Sequence, residues 1–79
     1  MTEELQLIQE FEINDTAFRN SYQELQKEYA NQYVAIKKGK IIDSDKDPKS
    51  LINKLEGKKE NLIMILIQFV PKKGIQILY

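Results

Sequence analysis

Tyr33-Val34-Ala35-Ile36-Lys37-Lys38-Gly39-Lys40-Ile41-Ile42 is the stretch that decides the fold. Two runs of β-branched and aromatic residues flank one glycine, which is the pattern of a β-hairpin. Gly39 supplies the positive φ of the turn. Lys-Lys-Gly suits a type I turn closed by a left-handed glycine better than a type I′ turn, which favours Asn or Asp before Gly. The stretch holds no acid, thiol, imidazole or hydroxyl nucleophile apart from the Tyr33 phenol, so it describes a fold and names no chemistry.

Upstream, Phe18, Tyr22, Leu25 and Tyr29 recur at intervals of four, three and four. That spacing puts them on one helical face, with Arg19, Gln23, Glu24, Gln26 and Lys27 toward water. Asn14 or Asp15 offers an N-cap. Asn31 offers a left-handed C-terminal stop. Residues 1–13 alternate through Leu5, Leu7, Phe11 and Ile13, while Leu5 and Ile8 also suit a helix face. They read as an extended or helical N-terminal arm preceding a single domain over 14–79.

Downstream, Asp47 followed by Pro48 is a helix start and Gly57 a helix stop, with Leu51, Ile52 and Leu55 between them as a narrow apolar face. Leu62 to Val70 is apolar at odd and even positions alike, so it reads as a central strand covered on both faces. Pro71-Lys72-Lys73-Gly74 is a turn, and residues 75–79 alternate as a last strand. The order α-β-β-α-β-β predicts an α+β fold. A right-handed crossover gives an antiparallel four-stranded sheet in the order 2-1-3-4, with both helices on one face. Two helices on one face leave the other bare, and a second copy of the chain is the simplest cover. The expectation is a homo-oligomer, a dimer foremost, joined through Ile63, Met64, Ile65, Leu66 and Ile67.

The 79 residues fit one domain. A chain this short buries only about 60% of its unfolded surface, so association would supplement its stability. There is no cysteine and no histidine, which removes thiol and imidazole catalysis and ordinary structural zinc. Asp43, Asp45 and Asp47 alternate like the opening of a calcium loop. The sixth and twelfth positions of that loop need glycine and glutamate, and here they hold Pro48 and Lys54. Ser21, Ser44 and Ser50 have no base partner in the pattern. No cofactor and no enzymatic activity are expected.

Formal net charge is zero, yet residues 1–30 carry a balance of −5 and residues 31–79 a balance of +5. Lys37, Lys38 and Lys40 at the hairpin tip, with Lys72 and Lys73 in the last turn, are the candidate contacts for a polyanion such as a nucleic acid. The basic half has no arginine and few aromatic residues to stack on bases, so this reading stands second to a protein partner. The N-terminus is acidic without a secretory pattern. The nine-residue apolar run is too short to span a bilayer, which takes about 20 residues. A cytoplasmic protein is expected, and richness in Ile, Lys and Glu suits a thermophile.

Tyr29, Tyr33-Val34-Ala35-Ile36, Gly39, Ile41-Ile42, Asp47, Leu51, Leu55 and Val70-Pro71 together resemble a family of small, mostly archaeal domains of unknown function. Those domains show a tyrosine ending a helix, an aromatic followed by Val-Ala, a turn glycine, two aliphatics, a short helix and a strand closed by Val-Pro. The resemblance covers roughly residues 18–71. Asn31 stands where the family usually has glycine, and Tyr33 where it often has tryptophan. The resemblance implies the fold and carries no activity.

Overall fold

A computed structural model describes residues 3–72. Helix α1 (Glu3–Asn20) leads through Ser21 into α2 (Tyr22–Glu28). Strands β1 (Gln32–Lys37) and β2 (Lys40–Asp45) follow, then α3 (Pro48–Gly57), a 3-10 turn (Leu62–Met64) and β3 (Leu66–Val70). The class is α+β, and the sheet is antiparallel with three strands in the order β2-β1-β3. The last expected strand, 75–79, lies outside the described residues.

α1 passes without a break through positions 13 and 14, so the arm and the first part of the predicted helix are one element. Glu3 and Glu4 in its first turn suit the positive end of the helix dipole. Asn14 is no cap; it lies inside the helix and is 1% exposed. The row that faces the body is Leu7, Phe11, Asn14 and Phe18, and its one polar member hides the helical period from a sequence reading. At Ser21 the axis bends while the i→i−4 bonds continue, Ser21 N–H to Ala17 at 3.1 Å and Leu25 N–H to Ser21 at 2.9 Å.

Asn31 adopts φ 60° as its cap role requires, and its N–H reaches the Val70 carbonyl at 2.8 Å. The hairpin turn differs from expectation. Lys37 pairs with Lys40, leaving a two-residue loop in which Lys38 and Gly39 have φ of 52° and 78°. That is a type I′ geometry, whose twist matches the flanking strands. A lysine in the left-handed region costs about 1–2 kcal/mol, and contacts from α1 hold it there. A bulge at Ala35/Ile36 leaves Ile42 as the extra residue of β2.

The two helical layers lie on opposite faces of the sheet, which corrects the expectation of one shared face. Val34, Ile36 and Val70 pack with Phe18 and Leu25 from α1 and α2. Ala35 packs with Leu51 and Leu55 from α3, joined by Tyr33, Ile42, Ile65 and Ile67. Val34, Ala35 and Ile36 are consecutive and all buried, because β1 is covered on both sides. Apolar residues at odd and even positions of 66–70 therefore find partners within one chain, and no second copy is needed to cover them.

The run 62–70 is not one strand. Asn61 Oδ1 accepts the Ile63 N–H at 3.2 Å, and this cap winds Leu62–Met64 into a 3-10 turn. Ile63 is thereby turned outward and is 71% exposed. Asp47 caps α3 as expected, accepting the Ser50 N–H at 3.1 Å, with Pro48 at the first helical position. At the other end Lys59 N–H bonds the Glu56 carbonyl and Glu60 N–H bonds Leu55. This Schellman closure puts Lys59, rather than Gly57, in the left-handed position at φ 60°.

Candidate interaction surface

The expected polyanion contacts do not meet. Lys37 Nζ is held by Glu60 Oε1 at 2.9 Å. Lys38 and Lys40 stay at the hairpin tip and are exposed. Lys72 follows Val70, which pairs with Gln32 at the opposite end of β1. The six residues of β1 separate the two groups, about 20 Å at the strand rise. Lys73 lies outside the described residues. The sheet thus divides the lysines between its two ends, and one of the three tip cations is already neutralised.

The aspartates of the β2–α3 segment are engaged by the protein itself. Lys54 Nζ lies 3.2 Å from Asp43 and 3.3 Å from Asp45, and donates to the Ser44 carbonyl at 2.6 Å. Lys58 Nζ lies 2.9 Å from Asp43. The Lys58 hydrogen bond, with the Ser44 N–H and Lys54, holds the Asp43 carboxyl down at about 2 against some opposing desolvation. Asp45 is lowered chiefly by the Asp47 backbone N–H, and Lys54 is raised chiefly by its bond to Asp43. Asp47 is committed to its cap, where Ser50 Oγ also donates to it at 3.0 Å. The cluster clips α3 to β2.

Of the predicted self-association residues, only Ile63 is exposed. Leu66 packs on the α1–α2 core, Ile65 and Ile67 pack on the α3 core, and the Met64 carbonyl accepts from Asn14 Nδ2 at 3.4 Å. The tyrosines are packing residues as expected. Tyr22 meets Phe18 edge-on at 5.6 Å and Tyr33 meets Phe69 across the strands at 5.0 Å.

The surface that the sequence reading missed is the outer side of α1. Ile8 and Phe11 are each 54% exposed, and their spacing of three makes them neighbours on the helix. Phe11 and Ile63 line one small cleft of about 50 Å³ with Leu7, Glu10, Asn14 and Met64. Within it Glu10 Oε2 is shielded from solvent and has no hydrogen-bond partner among the described residues. Glu4 and Glu12 lie four residues either side of Ile8, and Asp15 lies four beyond Phe11, so the apolar patch has an acidic border. The residues were visible in the sequence. Their grouping was not, because it depends on the turn at 62–64 bringing Ile63 beside α1.

No helix among the described residues is long and apolar enough to cross a membrane. Residues 24–73 match the Family of unknown function (DUF5678), a stretch of more than half the chain. No curated protein and no solved structure matches the chain.

Proposed function

We propose that this chain, which belongs to the family of unknown function DUF5678, is a non-catalytic interaction module that docks a polypeptide on the α1 surface around Ile8, Phe11 and Ile63. The observation that carries the reading is the exposure of these three large apolar side chains on one side of the molecule while both faces of the sheet are covered within the chain. Grouped apolar exposure costs solvation in a lone molecule and is relieved by a partner. The engagement of Asp43, Asp45, Asp47 and Glu60 by lysines or a helix cap supports a role without acid–base chemistry.

A dimer through residues 63–67 loses its original motive, since four of the five are packed inside; what remains of it is Ile63. The test compares the chain with an Ile8→Glu/Ile63→Glu variant. Both should show the same circular dichroism, because neither side chain belongs to the core. Sedimentation velocity and affinity capture from the native source should then show an association, with itself or another protein, that the variant loses. A chain that stays monomeric and captures nothing beyond what the variant captures overturns the reading.

A further inference from the structure

We infer that the docked segment is a basic amphipathic one from a different protein, which lays apolar side chains on Ile8, Phe11 and Ile63 and places one lysine ammonium on Glu10. This deepens the docking reading proposed above and rests on it. Two independent observations point to the cation.

The first is the border. α1 carries Glu3, Glu4, Glu10, Glu12 and Asp15 against Arg19 alone, and Arg19 is already bonded to Asp15 at 3.1 Å. A second copy offering its own α1 would set acids against acids, which disfavours the symmetric helix-to-helix dimer. A basic segment meets the same border with attraction and is steered to it.

The second is Glu10 itself. Its Oε2 is covered yet unpaired, and a shielded carboxylate oxygen without a donor is a costly arrangement that a native fold avoids unless a partner supplies the donor. The cleft beside it measures about 50 Å³, enough for one ammonium-sized head group on the scale of a water's share of about 30 Å³. The wall is apolar through Leu7, Phe11 and Ile65, and a lysine can lay its methylene stem along such a wall while its ammonium reaches the carboxylate.

The test titrates the full chain, followed by amide chemical shifts, with three helical peptides of identical leucine face. Their polar faces are lysine, glutamine or glutamate. The lysine peptide should perturb Glu10, Phe11 and Ile63 and bind best. Glu10→Gln should weaken it by about tenfold, the loss of one charge-assisted contact, while Glu12→Gln weakens it twofold or less and neither changes binding of the glutamine peptide. Glu10→Ala serves as a second variant should Glu10→Gln perturb the fold.

Equal losses for Glu10→Gln and Glu12→Gln mean a diffuse acidic field and overturn the inference. Equal binding of the lysine and glutamine peptides at this face overturns the cation while leaving the docking reading in place. Self-association through the same face with no peptide binding makes a second copy the occupant and likewise overturns it. No perturbation of this face by any peptide, with a monomeric chain, removes the inference and the docking reading together.

Discussion

Asn14 Oδ1 accepts the Gly39 backbone N–H at 2.8 Å, joining the middle of α1 to the tip of the hairpin. The same carboxamide donates to the Met64 carbonyl at 3.4 Å. One side chain therefore serves a left-handed turn and a 3-10 turn that are 25 residues apart in sequence. Asn14→Leu should destabilise the chain by about 1–3 kcal/mol, the cost of leaving a covered N–H without its acceptor. Urea unfolding measures it. Asn14→Asp keeps the acceptor and should lose less than Asn14→Leu.

Lys38 and Lys59 hold positive φ without being glycine. Lys38→Asn, which creates the Asn-Gly pair that type I′ turns favour, and Lys59→Gly should each stabilise by about 0.5–1 kcal/mol. Gly39→Ala should go the other way. Its φ is 78° and an added Cβ would stand 3.4 Å from Ile13 Cγ2. Thermal melts of the three variants would rank them.

Leu55 is fully buried under α3, and Leu55→Ala should cost about 2–5 kcal/mol through lost burial and a residual cavity. Ile63→Ala removes similar chemistry from an exposed site and should change stability by less than about 0.5 kcal/mol. The contrast separates the core from the proposed docking surface. Equal costs would mean that Ile63 is covered in solution.

Asp43 has its pKa lowered from 3.8 to about 2 by Lys58, the Ser44 N–H and Lys54. A carboxyl lowered in the folded state contributes stability above its unfolded value and loses it as pH falls through the folded one. The contribution should be complete above about pH 4 and fade toward pH 2. Asp43→Asn should flatten the acid limb of the stability curve in that window and cost about 1 kcal/mol at neutral pH, the scale of a part-exposed ion pair.

The local signals carried most of the secondary structure. Asp47-Pro48, Gly57, Asn31 and the aliphatic runs around Gly39 act through bonds within a few residues, so their pattern sufficed. The placement of α3 on the opposite face did not follow from them. It depends on which side of β1 the chain crosses, and β1 is apolar on both sides through Val34, Ala35 and Ile36. Residues 62–64 failed for a competing local reason, since the Asn61 cap outweighed the β-propensity of Leu62 and Ile63. The lysines looked like a cluster because sequence order does not say that Lys72 and Lys38 sit at opposite ends of one strand.

Phe18 closes the core formed by Leu25, Val34, Ile36 and Val70, and Asn14 ties down the hairpin tip, yet both precede the stretch 24–73 shared with the family. The segment that is inherited in recognisable form is thus shorter than the segment that folds. Recombination at the edge of the shared stretch would strip β1 of its lid on the side of Val34 and Ile36. Any descendant gene that kept the stretch would have had to acquire another helix in its place, with a different outer surface. Divergence of the leading helix is therefore a route by which members of such a family can keep one scaffold and change what they hold.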